Sequence, residues 1–274
     1  MSAIADAPTA FEVTEPSGRA GLTQAVRAEW TKFWSVRSTA WSLFALVVAT
    51  LGLGALSTNA LAGQRFAEFD PVRRILVGFN FGQFAIGVLG VLFISAEFGT
   101  GQIRSTLAAL PRRRDVLGAK AIVLGVVSLI VGEVLSFATF FLGDAILSGS
   151  RTPVAIGDPG IVRVLVESGV YLALMALIGL GFGAIIRNSA GSISTFAGLV
   201  LILTLIIGAM PLAIVNAVSR YLPANIGATV FAVSTPGRLS GTPVFSPIMG
   251  LLVLALYALI LLASGSYLMT RRDT

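Results

Sequence analysis

Six long apolar stretches dominate the sequence and limit the folds that it can adopt. A helix needs about 20 apolar residues to cross the hydrocarbon core of a bilayer, and each stretch meets this length. The predicted spans lie near residues 40–62, 76–96, 117–147, 164–186, 192–215 and 248–269. We therefore predict an all-α membrane protein with six transmembrane helices.

The composition agrees with this prediction. Of the 274 residues, 55% are hydrophobic and 12% are charged, whereas a soluble domain carries roughly 25% charged residues. The leader at 1–21 is rich in Ala, Pro, Thr and Glu without an apolar period, so we expect it to be disordered. Residues 22–274 are expected to form a single transmembrane domain.

The distribution of basic residues predicts the orientation. An even number of spans places both termini on one side of the membrane, and that side would carry twelve of the nineteen Lys and Arg residues. The positive-inside rule then places the N- and C-termini in the cytoplasm of a multi-pass inner (plasma) membrane protein. Basic residues at the ends of spans indicate topology and contact with lipid headgroups, not nucleic-acid binding. We interpret the excess of Arg over Lys, 17 to 2, as compositional bias.

The sequence lacks residues that several kinds of catalysis and metal binding require. The chain has no Cys and no His, which excludes thiol chemistry, the usual zinc sites and Ser-His catalysis. Lys32 and Lys120 follow Thr31 and Ala119, so the Gly-Lys pair of a phosphate-binding P-loop is missing. We expect no enzyme activity, no metal and no cofactor in this chain.

A helix is predicted before the first span. Five apolar residues share one of its faces: Leu22, Val26, Trp30, Phe33 and Trp34. Its charged residues Arg27, Glu29 and Lys32 are placed elsewhere. Trp and Phe opposite basic residues favour a helix lying in the inner membrane interface. The alternative is a cytoplasmic extension of the first span.

The loop between predicted spans 2 and 3 holds the densest basic cluster, which comprises Arg104, Arg112, Arg113, Arg114 and Lys120. Ile103, Leu107 and Leu110 recur at helical spacing and form one apolar face. Thr100 is predicted to cap this helix beside Gly99 and Gly101, and Pro111 is predicted to end it. The result is a short amphipathic helix that suits either a surface connector or a protein-docking site.

The residues Glu97-Phe98-Gly99-Thr100-Gly101-Gln102-Ile103-Arg104, followed by Leu107, Pro111, Arg112 and Lys120, resemble permeases of the type-2 ATP-binding-cassette exporter family. The stretch Ala28-Glu29-Trp30-Thr31-Lys32, followed by Arg37-Ser38, also looks like the start of these permeases. The resemblance extends from about Leu22 to Arg272. It implies an interfacial N-terminal helix, six spans, a coupling helix between spans 2 and 3, and short outer helices before span 6.

The resemblance also implies partners. A separate cytoplasmic ATPase would hold ATP and Mg, and a second permease copy or a paralogue would complete the path for an amphipathic drug, lipid or peptide. Glu97 would contact the interfacial helix or the ATPase. Ile103, Leu107 and Leu110 would be buried against a partner or the membrane base. The implied coupling residues are Glu97, Gly99, Thr100, Ile103, Arg104, Leu107, Leu110, Pro111 and Arg112.

Glu133 falls in the middle of the third apolar run. A charge at the bilayer centre costs about 2.5–3.5 kcal/mol, so Glu133 should face the bundle or be protonated. It is either a residue of the translocation path or a structural carboxyl group. The alternative function for the chain is an ion-coupled secondary transporter or channel that uses Glu133 and Asp144 and needs no ATPase.

Two further patterns bear on packing. The outer segment at 219–247 contains four prolines and an apolar patch from Ile226 to Val233, which is too short to cross a bilayer. This patch is either a short helix, a re-entrant element or a loop packed on the bundle. The small-residue patterns Gly78-x-x-x-Gly82 and Gly179-x-Gly181-x-Gly183 suit close helix contact, including a seam between two copies.

Overall fold

The computed structural model describes residues 21–61, 70–109, 113–148, 154–209, 218–233, 238–239 and 242–271. Almost all of these residues are helical. The exception among regular elements is a two-residue antiparallel ladder, Arg238–Leu239 with Thr242–Pro243. The predicted disorder of the leader concerns residues that, except for Gly21, lie outside the described ranges.

Among the described residues, six helices are long and apolar enough to cross a membrane, which agrees with the predicted number of spans and confirms the character of a multi-pass membrane protein. Spans 1 to 6 are Arg37–Ala60, Pro71–Thr100, Arg113–Leu147, Ile161–Ile186, Ser189–Ile207 and Pro247–Arg271. In the described ranges, three shorter helices accompany them: the N-terminal helix (Leu22–Ser35), the connecting helix (Gln102–Ala109) and the short helix (Pro223–Val230). The part of predicted span 5 beyond Ala209 lies outside the described residues.

Three spans contain a change of helix type, and the helices of spans 1 and 5 continue one or two residues beyond the apolar spans. Span 1 lies in Arg37–Val47, a π-helical turn at Val48–Gly52, and Leu53–Leu61. Span 2 consists of Pro71–Ile75, a 3₁₀ turn at Leu76–Gly78, and Phe79–Thr100. Span 5 consists of Ser189–Ala197, a π-helical turn at Gly198–Ile202, and Leu203–Ala209. Because a π turn widens the helix locally, spans 1 and 5 depart from the regular α-helical register.

Spans 2 and 4 form the centre of the bundle. In the most apolar stretch of spans 2 and 4, 61% and 67% of the residues are buried. The corresponding share in spans 1, 5 and 6 is 17–22%. Glycines let the two central helices touch through their backbones. A methyl group at Gly90 would lie 2.0 Å from the carbonyl oxygen of Ala176, and one at Gly179 would lie 2.1 Å from that of Gly87. Small residues thus serve close packing inside the chain.

The same observation corrects the interpretation of the glycine patterns as a seam between copies. Gly179 faces span 2, and a methyl group at Gly181 would lie 2.5 Å from Cβ of Leu261 in span 6. A methyl group at Gly78 would lie 2.3 Å from the carbonyl oxygen of Thr50, in the π turn of span 1. These glycines are occupied by contacts within one chain.

Both ends of the described chain lie at one end of the bundle, which we name the terminal end. Two arginines there hold the last turn of span 6. Arg113 Nη1 donates to the carbonyl oxygen of Met269 at 2.6 Å, and Arg187 Nη2 donates to that of Leu268 at 3.0 Å. Cations at these carbonyls complement the negative end of the helix dipole.

The opposite end is closed by contacts to the segment after the short helix. Asp70 caps span 2 by accepting from the backbone N–H of Val72 at 3.0 Å, and it also accepts from the N–H of Val233 at 2.6 Å. Arg163 donates to the carbonyl oxygen of Val233 at 3.1 Å and to Glu167 at 2.7 Å. Of the alternatives for the apolar patch, its first part is helical, although the helix begins earlier, at Pro223.

Candidate functional site

Both lysines of the chain lie in one charge cluster, formed by Glu29, Lys32, Glu97 and Lys120. Lys120 Nζ lies 2.7 Å from Glu29 Oε2 and 2.5 Å from Glu97 Oε1. Lys32 pairs with Glu97 and lies 4.0 Å from Glu29. The two carboxylates and two ammonium groups balance in formal charge.

The cluster joins three elements at the terminal end. Glu29 and Lys32 stand on one side of the N-terminal helix, because residues three apart are neighbours on a helix surface. Glu97 comes from the last turn of span 2, and Lys120 is the eighth residue of span 3. A displacement of any one of these helices therefore acts on the other two through ion pairs.

These ion pairs matter for the stability of the fold because three of the four residues are buried. Lys120 is 0% exposed, Glu29 is 3% exposed and Glu97 is 4% exposed. A buried charge costs several kcal/mol unless it is paired and hydrogen-bonded. Lys120 meets this requirement, because its ammonium group contacts Glu29, Glu97 and the carbonyl oxygen of Phe93 at 3.2 Å, one acceptor for each N–H. It also lies 4.5 Å from the centre of the Phe93 ring, a cation–π contact.

One carboxylate oxygen of the charge cluster has no hydrogen-bond donor among the described residues. Glu97 Oε2 is buried and has no hydrogen-bond partner among the described residues. Glu97 and Lys32 line a cleft of about 190 Å³ between the start of span 1 and the end of span 2. The cleft gives Lys32, which is only half-buried, access to the surface.

The connecting helix starts shortly after Glu97 in the sequence, at Gln102. Gly101 has φ +73°, a left-handed conformation that favours glycine, and it turns the chain out of span 2. Thr100 was predicted to cap the connecting helix, and this is wrong. Its hydroxyl donates to the carbonyl oxygen of Ala96 at 2.9 Å, inside span 2, because span 2 continues through Thr100. Gly99 lies exposed in the last turn of span 2.

The apolar face of the connecting helix packs on the chain itself. Ile103 is 3% exposed and belongs to the main core, and Leu107 packs beside a small cluster of Ala25, Val116 and Ala119. Four residues of the helix are exposed: Gln102, Arg104, Ser105 and Ala108. Three further residues of the predicted coupling set, Leu110, Pro111 and Arg112, lie outside the described residues.

Of the five residues on the predicted apolar face of the N-terminal helix, Phe33 is buried, whereas Leu22, Trp30 and Trp34 are exposed. The buried residues of the helix are Ala25, Glu29 and Phe33, so the side that packs on the bundle includes Glu29. The Phe33 ring lies 5.4 Å from that of Phe93 in span 2. Trp30 and Trp34 are 45% and 57% exposed and meet edge to face. Glu29 can be buried on this side because its charge is paired with that of Lys120.

Glu133 is not part of this cluster. It lies 13 residues beyond Lys120 in span 3, or about 20 Å along the helix axis. Its carboxyl group abuts span 4, where a methyl group at Gly169 would lie 2.4 Å from Oε1. Within the described ranges it forms no ion pair or hydrogen bond. Asp144, near the far end of span 3, is half-buried and equally unpaired among described residues.

Sequence reasoning placed Glu97 in the site but missed Glu29, Lys32 and Lys120 as a unit. The available signal was the scarcity of lysine. The chain has 17 arginines and only two lysines, and both lysines belong to the cluster, so the ratio is not merely a compositional bias.

No protein-family model matches the chain, and no curated protein matches it significantly. Among the described residues, no group of three or more acidic side chains could hold a metal ion.

Proposed function

We propose that this chain is the membrane-spanning subunit of an ATP-driven exporter. In this proposal the connecting helix is the docking element for a separate cytoplasmic ATPase, which binds ATP and Mg. Two copies of the chain, or this chain and a related one, would enclose the path for an amphipathic substrate. The terminal end would face the cytoplasm, in accord with the distribution of basic residues.

The observation that carries the proposal is the way the connecting helix is mounted. Its apolar side is fixed by Ile103, while its polar side, with Arg104 and Ser105, is uncovered. Gly101 separates it by a single residue from span 2, which carries Glu97. A force on the exposed side is thus delivered next to the charge cluster.

In this proposal, the charge cluster transmits the force on the connecting helix to the N-terminal helix and to span 3. Because Glu97 contacts both lysines, a shift of the end of span 2 changes its distances to the N-terminal helix and to span 3 together. Paired charges in a buried site resist separation, so the three helices move as a unit. This is the mechanical behaviour that a subunit driven from its cytoplasmic surface requires.

The test is co-purification with an ATPase encoded beside this chain, followed by ATP-dependent efflux in reconstituted vesicles. Arg104→Glu reverses a charge on the exposed side of the connecting helix and should abolish both ATPase binding and efflux. Arg271→Glu makes the same change at an exposed position at the end of span 6 and should leave both intact. Binding that survives Arg104→Glu and deletion of 102–109 would overturn the proposal.

Glu133 supports a second candidate function, ion-coupled transport without an ATPase. Its mid-span carboxyl group, unpaired among the described residues, could bind a proton or a cation. If this candidate holds, Glu133→Gln abolishes transport driven by an ion gradient in vesicles without ATP. If the exporter proposal holds, transport requires ATP whether or not the gradient is present.

A further inference from the structure

A groove of about 360 Å³ opens between spans 4, 5 and 6, well away from the charge cluster. Six residues of the three spans form its walls: Ile178, Phe182, Leu199, Tyr257, Ile260 and Leu261. All of these side chains are apolar except for the Tyr257 hydroxyl. That hydroxyl is used elsewhere, because it donates to the carbonyl oxygen of Tyr221 at 3.2 Å.

An arginine stands next to the mouth of the groove. Tyr221 lines the groove, and the guanidinium carbon of the preceding residue, Arg220, lies 5.1 Å from the Tyr221 ring and 5.2 Å from the Phe245 ring. Its Nη2 donates to the Tyr221 hydroxyl at a long 3.4 Å. Its Nε is buried without a hydrogen-bond partner, and no carboxylate in the described ranges pairs with it. Arg220 therefore presents an unmatched cation with free donors.

The groove and Arg220 lie at depths in the membrane at which a single ligand can contact both. Phe245 comes two residues before the start of span 6, so Arg220 is level with the end of a transmembrane helix. Tyr257 and Leu261 lie 10 and 14 residues into span 6, or about 15 and 21 Å from its start. The groove thus extends from the level of the headgroups past the middle of a ~30 Å hydrocarbon core.

We propose that this groove binds one acyl chain of a membrane phospholipid, with the lipid phosphate paired to Arg220. Guanidinium groups bind phosphate through parallel charge-assisted hydrogen bonds, and tyrosine is typical of the headgroup level of membranes. The walls match a hydrocarbon chain, because they are apolar apart from the hydroxyl groups of Tyr221 and Tyr257, and both of these are already hydrogen-bonded. The site is independent of the exporter proposal, because it involves neither the connecting helix nor an ATPase.

The size of the groove favours a lipid over a helix of another protein. A helix with its side chains is about 10–12 Å across, whereas small-molecule sites occupy about 300–1,000 Å³. The groove is at the lower end of that range. The surrounding bilayer supplies phospholipid at high concentration, so the site would be filled whenever the chain is in the membrane.

The test counts phospholipid molecules retained per chain by native mass spectrometry after purification of the full chain in mild detergent. The wild-type chain is expected to retain one. Leu199→Trp fills the groove and should remove that lipid. Leu205→Trp is the matched control, because Leu205 lies on the same span but is 64% exposed and outside the groove.

Arg220→Gln tests the contact with the lipid phosphate. It also tests whether the site binds phospholipid if the Leu199→Trp variant does not fold. It should lower the affinity for added phosphatidylglycerol about tenfold, the effect of losing a charge-assisted hydrogen bond. Arg271→Gln is its control, since Arg271 also stacks on an aromatic ring, that of Tyr267 at 5.3 Å, but at the other end of span 6. The proposal is overturned if wild type retains no lipid, or if each variant matches its control.

Discussion

Lys120 Nζ lies 2.7 Å from Glu29 Oε2, although the two residues are 91 positions apart in the sequence. This contact ties span 3 to a helix that precedes span 1. Because both side chains are buried, neither charge could be left alone without a large loss of stability.

Lys120→Met should lower the stability of the folded chain by about 3–5 kcal/mol, because it leaves two buried carboxylates facing the single charge of Lys32. The measurement is the thermal unfolding midpoint in detergent. Arg114→Met is the control, since Arg114 is exposed in the same helix, and it should change the midpoint little. Equal midpoints for the two variants would contradict the assigned role of Lys120.

Adding Glu29→Gln to Lys120→Met should recover part of that loss. The double variant keeps Lys32 and Glu97, whose charges balance, and removes the second buried carboxylate. Residues in one ion-pair network are not expected to behave additively. Unfolding midpoints of the wild type, both single variants and the double variant give the coupling, and simple additivity would show that Glu29 and Lys120 act independently.

Gly90→Ala should destabilise the contact between spans 2 and 4, because the new methyl group would lie 2.0 Å from the carbonyl oxygen of Ala176. Overpacking of this kind costs about 1–3 kcal/mol. Gly52→Ala is the matched control on span 1, where no atom comes within 4 Å of the added methyl group. Thermal unfolding of both variants should separate them, and a Gly90→Ala chain as stable as Gly52→Ala would argue against the close approach.

Gly101→Ala should cost about 1–2 kcal/mol, since an L-residue at φ +73° is strained. The strain acts at the junction of span 2 with the connecting helix. Gly99→Ala provides the comparison two residues earlier, in helical conformation with open space around it. Limited proteolysis after Gly101 should be faster for the first variant only; equal rates would mean that the turn tolerates a side chain.

Asp70→Ala should loosen the closed end opposite the charge cluster. It removes the cap of span 2, worth about 1 kcal/mol, together with the bond to the Val233 N–H. Hydrogen exchange at Val233 should accelerate. Asp144→Ala, at a half-buried aspartate without a partner among described residues, should leave that exchange rate unchanged.

The six spans could be predicted from the sequence because each depends on its own run of apolar residues. The connecting helix was also predictable from the spacing of Ile103 and Leu107. The cap at Thr100 was wrong because local composition does not tell where span 2 stops. The choice between Thr100 and Gly101 depends on backbone conformation at a single residue.

The ion pairs of the charge cluster could not be predicted, because the four residues belong to three separate helices and the scarcity of lysine does not indicate which residues pair. Each of its residues looks like an ordinary interfacial charge when taken alone. The burial of Glu29 is favourable only because Lys120 lies next to it in the fold. Long-range pairing of this kind leaves no periodic signal in the sequence.

Arg113 and Arg187, which hold the last carbonyl groups of span 6, have a consequence for the order of assembly. A chain is synthesised from its N-terminus, so both arginines leave the ribosome long before Leu268 and Met269. Span 6 is thus synthesised after both of the residues that hold its last turn, so these two hydrogen bonds form late in the assembly of the described bundle.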